Sequence, residues 1–233
     1  IGVVAAITLP NLIANVQKKS LAKSAQKQYA SLEQTFKMIR LETDTDNIFD
    51  SDMFIRQSSY DYTIVNPEKY FKMTKLKENI SENDKEIPKY KDLDKTENFW
   101  WFSPASWNAY LMVNGAILYL PRGIHSTYEN LNGLFFIIDT NGLSGPNVVG
   151  RDLFGYIASS WGTLYPYGET DRYDCHSSAG CNVNNRNSST RSYGGCYGKY
   201  SYYFAPHDTT YEVPSDGTGC AARLMYNNWV MDY

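Results

Sequence analysis

The pattern of apolar and polar positions changes character once within the first 42 residues, without a break signal between its two parts. Ile1 to Gln17, IGVVAAITLPNLIANVQ, carries no charge, and its large apolar residues Ile1, Val3, Val4, Ile7, Leu9, Leu12, Ile13 and Val16 fall on every side of a helix. At 1.5 Å per residue this run spans about 25 Å, somewhat less than the roughly 30 Å of a hydrocarbon core. From there the apolar positions narrow to Leu21, Ala25, Tyr29, Leu32, Phe36 and Ile39, spaced by three and four, with Lys23, Lys27, Gln34 and Lys37 on other faces. That spacing predicts one amphipathic helical stripe. The whole segment, residues 1–42, reads as one helix about 60 Å long. Pro10 lies in the apolar half, where it is expected to kink or locally melt the helix. Two textures on one helix imply two partners. The first half suits lipid or a bundle of identical helices, and the second half covers a sheet.

The rest of the chain reads as β structure after a polar interval. Residues 43–107 form a polar linker in this reading, and residues 72–97 hold 14 charged residues of both signs, a solvated stretch with little fixed structure. Residues 108–233 then form an antiparallel β lobe. Ala109–Val113 and Ala116–Leu120 flank Asn114-Gly115, which predicts a hairpin on a type I′ turn. GLFFIID, Gly133 to Asp139, reads as a buried strand, and AARLMYNNWVMDY as a second hairpin turning at Asn227-Asn228. The fold class expected is α+β, a long N-terminal helix packed on an antiparallel sheet with a disulfide-stapled C-terminal lobe.

Charge sharpens the division. Residues 1–42 carry six basic side chains against Glu33 and Glu42, a net of +4, so the remainder carries -7 of the chain's formal -3. An acidic body gives no electrostatic reason to expect nucleic acid. Aromatics make up 15% of the 233 residues, too many for a disordered chain. The four cysteines, Cys175, Cys181, Cys196 and Cys220, stand among Gly, Ser, Asn and Tyr and lack the close pairs of a zinc site. They imply two disulfides in an oxidising compartment. Three pairings are open; the one expected is Cys175 with Cys181 and Cys196 with Cys220, tying the last strand to the loop before it.

Other chemistry is thin. His125, His176 and His207 lie far apart, and neither a nucleophile elbow, a zincin motif nor a P-loop is present, so an enzyme is not expected. Tyr193, Tyr197, Tyr200, Tyr202, Tyr203 and Tyr211 read as amphipathic packing in a loop-rich lobe, or as an adhesive surface for glycans or proteins. Asn79-Ile-Ser81 and Asn187-Ser-Ser189 are glycosylation sequons. Asp139, Asn141 and Asp152 offer hard oxygens around a glycine turn, a donor type that suits Ca²⁺, although the same run is good turn chemistry. No other cofactor is indicated.

IGVVAAITLPNL resembles the second half of the N-terminal methylation segment of type IV pilins and pseudopilins, with Pro10 at the family's proline. A second run, from Asp139 through Asn141, Gly142, Gly145, Pro146, Asn147, Gly150 and Asp152 to Phe154, resembles a segment that follows a sheet strand in many pilin-like proteins. The resemblance implies a structural subunit that is anchored in the inner membrane before assembly, polymerises helically with itself, and ends in a filament on the cell surface, where surface receptors are possible partners. It also implies that the helix begins before Ile1. A minor pilin or a type II secretion pseudopilin is the alternative within that class. A membrane-anchored extracellular binding or hydrolytic domain is the alternative outside it.

Overall fold

The computed structural model describes residues 2–58, 61–81, 83–93, 98–99, 107–124, 133–168, 174–175, 180–182, 196, 217 and 219–233, with the backbone alone at 2–9, 98–99, 174–175 and 180–182. Helix α1 (Gly2–Glu42) is a single element that runs through Pro10 without interruption. The local melting expected at the proline does not occur. A proline removes one N–H from the ladder, and the uncharged, alanine-containing turns on both sides keep theirs.

The second half of α1 is buried on one side. Ala22, Ala25, Leu32, Phe36 and Ile39 are in the core, with Leu21 and Tyr29 half-buried against it. The surface they cover is an antiparallel sheet in the order β11-β10-β9-β7-β6-β3. Its strands are β3 (Met73–Lys77), β6 (Trp107–Met112), β7 (Ile117–Pro121), β9 (Gly133–Asp139), β10 (Leu153–Ser159) and β11 (Leu164–Pro166). Strand alternation divides them cleanly. Leu134, Phe136 and Ile138 of β9, with Phe154, Tyr156 and Ala158 of β10, face the α1 core, while Phe135, Ile137, Leu153 and Ile157 face a second apolar cluster. The fold is therefore α+β, and its central strands are buried on both faces.

The second face is covered by the stretch expected to be solvated. Ile80, Ile87 and Tyr90 from residues 78–93 pack with Trp107, Tyr119, Ile137 and Val149, and β4 (Tyr90–Lys91) pairs with β5 (Asn98–Phe99). Among the described residues of 43–107, Phe49, Met53, Phe71 and Leu93 are buried in the first core and Ile80, Ile87 and Tyr90 in the second. A short 3₁₀ turn (Ile48–Asp50) leads into a small sheet of β1 (Phe54–Arg56), β2 (Tyr62–Ile64) and β8 (Gly123–Ile124), and helix α2 (Pro67–Tyr70) precedes β3. The few apolar residues set among the charges make long-range contacts, while the charges stay outside.

Two local expectations change. The β6–β7 hairpin pairs Leu111 with Ile117, and the Gly115 N–H bonds the Met112 carbonyl, so the loop is Val113–Gly115 with positive φ at Gly115 alone. This is a three-residue turn, not a two-residue type I′ turn. The C-terminal segment is helix α3 (Cys220–Tyr226), not a hairpin. Ala221, Ala222, Arg223, Leu224 and Met225 are good helix formers, and Asn228 and Trp229, at φ 52° and 61°, reverse the chain after it. Backbone pairing of β12 (Asp174–Cys175) with β13 (Gly180–Asn182) sets Cys175 opposite Cys181, and β13 continues along β9.

Candidate functional site

Helix α1 is divided where it leaves the lobe. Leu12, Ile13 and Val16 are 61%, 52% and 58% exposed, whereas burial begins at Leu21 and Ala22. From Pro10 to Gln17 every residue is exposed, so roughly 12 Å of helix stands clear of the sheet over that stretch. The carriers of this feature are the uncharged residues themselves: Ile1 lies outside the described residues, and Val3, Val4, Ile7 and Leu9 are described in backbone only. No helix among the described residues is long and apolar enough to cross a membrane. Full burial of one Leu, Ile or Val side chain contributes about 1.5–3 kcal/mol, so even the three exposed side chains make a partner favourable.

The lobe holds the other half by polar pins as well as by packing. The Ser24 hydroxyl donates to the Thr140 carbonyl at 2.8 Å, the Asn114 amide donates to Gln28 Oε1 at 2.9 Å, and the Tyr29 hydroxyl donates to the Leu164 carbonyl at 3.1 Å. At the far end of the sheet, Arg40 donates to the Trp161 carbonyl, and a Cβ at Gly162 would lie 2.9 Å from the Phe36 carbonyl oxygen. Helix α1 thus lies along the strands. Its free half projects past the sheet end that carries the 113–115 turn and the 140–152 loop, where Val113 and Leu143 are also exposed.

The 140–152 loop contains the residues read as calcium donors, and the structure brings them together. Asp139 Oδ1 accepts from the Asn141 and Gly142 N–H groups, and Oδ2 accepts from the Tyr90 hydroxyl at 2.6 Å. Asp152 Oδ1 accepts from Val148 N–H, and Oδ2 from Asn147 N–H. Each of the four carboxylate oxygens already receives a hydrogen, so the acids act as pins that open and close the loop. Asn141 and Asn147 each keep a buried Oδ1 without a partner. The donors suit a hard cation in type but not in number, since no group of three His, Cys, Asp or Glu converges among the described residues.

Both acids are wholly buried, and burial drives their protonation upward. Asp139 is pushed up to about 8 by desolvation first and by the Asp152 charge second, against the hydrogen bonds from Tyr90 and the two N–H groups. Asp152 is raised to about 6 by burial. The Tyr90 and Tyr119 hydroxyls lie 2.8 Å apart, which extends the network into the second core. Desolvation raises both phenols well above their ordinary range.

Cys196 and Cys220 form a disulfide with their Cα atoms 4.8 Å apart, at the start of α3. Arg223 then clamps the C-terminus: Nε and Nη2 donate to the two oxygens of Asp232, and Nη1 donates to the Cys196 carbonyl. The Cys175 and Cys181 side chains, the three histidines, the tyrosine cluster from Tyr193 to Tyr211 and the sequon at Asn187 lie outside the described residues. Asn79 of the other sequon is exposed, and Ile80 within it is buried. Sequence reasoning missed Tyr90 and Arg223. The isolated tyrosine in a charged run was the available signal for the first.

Comparison with protein-family models, with curated proteins and with solved structures finds no match to this chain.

Proposed function

We propose that the protein is the structural subunit of a type IV pilus-like filament, assembling with copies of itself through the apolar half of α1. The observation that carries this reading is the division of one continuous helix. Leu12, Ile13 and Val16 stand exposed on a segment without charge, while Leu32, Phe36 and Ile39 of the same helix are buried in the lobe. An enzyme or a simple binding domain has no use for a second, unpartnered apolar half of this length. A lipid anchor uses it only once, whereas a polymer uses it in every copy. In this reading the free halves bundle as the filament core and the lobes coat the outside. The inner membrane holds the subunit beforehand, and the finished filament stands on the cell surface. A minor pilin or pseudopilin shares this architecture and differs in abundance and filament length.

The test is Ile13→Asp in the full chain, scored for sheared filaments and for protease resistance of the lobe. Loss of filaments with an intact lobe supports the reading. Normal filaments from the variant, or dispersed subunits from the unmodified chain under assembly conditions, overturn it.

A further inference from the structure

Along residues 18–50, α1 and the turn that follows it, the charges outside any ion pair among the described residues are sorted by position. Lys19, Lys23 and Lys27, spaced by four, form an outward stripe opposite the buried face, all exposed and none in an ion pair among the described residues. At and just past the other end of α1, Glu42, Asp44 and Asp50 are exposed and likewise in no ion pair among the described residues. Other charges are matched within the copy: Glu33 bonds Lys37 between the two groups, and on the acidic side Asp46 bonds Arg40 and Asp52 bonds Lys69. The unmatched cations, half-buried Lys18 among them, therefore lie at one level, and the unmatched anions lie at another, at and just past the end of α1. At 1.5 Å per residue, Lys23 and Asp44 are about 30 Å apart along the axis.

From this, and resting on the filament reading above, we propose a head-to-tail contact between copies, in which the acidic end of α1 in one subunit docks on the lysine stripe of the next. The occupant is argued from charge complementarity. The two patches are opposite in sign, and they are too far apart to meet within one molecule. A pure offset along the axis brings them together without turning the subunit over. Such a contact is heterologous and does not close, so it propagates as a helix of subunits. It needs neighbours displaced by about 30 Å along the filament. Burying the apolar halves supplies adhesion without register, because a featureless greasy cylinder slides. The paired charges supply the register and discriminate against an inverted neighbour, which would set like charges face to face.

The experiment is reciprocal charge reversal in the full chain under assembly conditions, with filament yield read by shearing and electron microscopy. Lys19→Glu with Lys23→Glu, and separately Glu42→Lys with Asp44→Lys, should each cut the yield at least tenfold. All four together should restore it to within about twofold of the unmodified chain, and yield should fall as salt is raised. A second measurement uses Lys23→Cys with Asp44→Cys. Because the two positions are far apart within one copy, oxidation should give a ladder of covalent multimers. The proposal is overturned if either reversal assembles normally, if the combined variant is no better than its parents, or if only monomers form on oxidation. Loss from the lysine reversal alone assigns the stripe to anionic lipid headgroups and also overturns it. Each of these results leaves the filament reading standing as long as the unmodified chain polymerises and Ile13→Asp does not.

Discussion

Gly150 and Cys220 approach so closely that a Cβ on the glycine would lie 2.7 Å from the cysteine sulfur, 2.8 Å from its Cβ and 2.9 Å from the Gly217 carbonyl oxygen. The sulfur cannot retreat, because the disulfide to Cys196 holds it. The glycine also has φ +80°, a conformation that costs an L side chain. This contact joins the 139–154 run to the C-terminal helix, two segments about 70 residues apart that a sequence pattern treats separately.

Gly150→Ala should therefore destabilise the lobe by about 2–4 kcal/mol, since clash and backbone strain add at one site. Gly145→Ala in the same loop is the control. Its φ is not positive, nothing lies within 4 Å of its added methyl, and the expected change is within about 0.5 kcal/mol. Urea unfolding of both variants checks the pair. Equal stability of the two would mean that the loop does not seat against α3 as described.

What the sequence made legible is what depends on near neighbours. The stripe from Leu21 to Ile39 could be read because helical period is a local property, and GLFFIID could be read because a strand buried on both faces is apolar throughout. The hairpin was located, but its register was off by one. Asn-Gly suits a two-residue turn, yet Asn114 caps Ala116 and bonds Gln28 of α1, and that tertiary contact goes with the longer loop. Ile80, Ile87 and Tyr90 could not be read as core, because their partners on β6, β7 and β9 lie far along the chain. Helix α3 was missed because seven residues give too short a window for the period, and Asn227-Asn228 resembles a turn. At the candidate site, Asp139 and Asp152 were legible as a pair. The hydrogen from Tyr90 that changes their chemistry was not.

Lobe stability should fall as pH rises from about 4 to about 8. The folded state holds the Asp139 proton up to about 8, whereas the unfolded chain releases it near the ordinary carboxyl value of 3.8. The contribution is fully present below the unfolded value and is lost progressively as pH climbs through the folded one. Asp152, raised to about 6, adds in the same direction over a narrower window. The loss between pH 5 and pH 8.5 should be on the order of a few kcal/mol. Asp139→Asn keeps an oxygen for the two N–H groups and can donate to the Tyr90 oxygen without a charge. It should flatten the profile and be the more stable protein at pH 8.5. An unchanged profile in Asp139→Asn would assign the titration elsewhere.

Calcium should not replace that proton. A cation needs about six oxygens or more. No third Asp, Glu, His or Cys joins Asp139 and Asp152 among the described residues, and their oxygens already accept hydrogens from Asn141, Gly142, Tyr90, Val148 and Asn147. Millimolar calcium at pH 8.5, where both acids are ionised, should shift the Tm by less than about 1 °C, and a chelator should have no larger effect. A rise of several degrees that vanishes in Asp152→Asn would establish a calcium site in this loop, with the unpartnered Asn141 and Asn147 oxygens as its further donors.

The two halves of α1 should fail independently when altered. Phe36 is wholly buried, with its ring 5.5 Å from both Phe71 and Phe136, so it touches the sheet on one side and the segment before β3 on the other. Phe36→Ala should leave a cavity that costs about 3–5 kcal/mol, seen as a lowered urea midpoint. Leu12 is 61% exposed and has no sheet to cover, so Leu12→Ala should leave the midpoint unchanged. In assembly the order reverses. Leu12→Ala removes apolar area from every contact in the bundle, about 25 cal/mol per Å² lost, and raises the concentration needed for filaments. Phe36→Ala changes no surface residue, so subunits that remain folded at low temperature should polymerise at the normal concentration. The paired measurement is the urea midpoint and the critical concentration for each variant. If Leu12→Ala lowered the midpoint as much as Phe36→Ala, the apolar half would belong to the lobe's own core. The proposed filament contact would then lose the surface on which it depends.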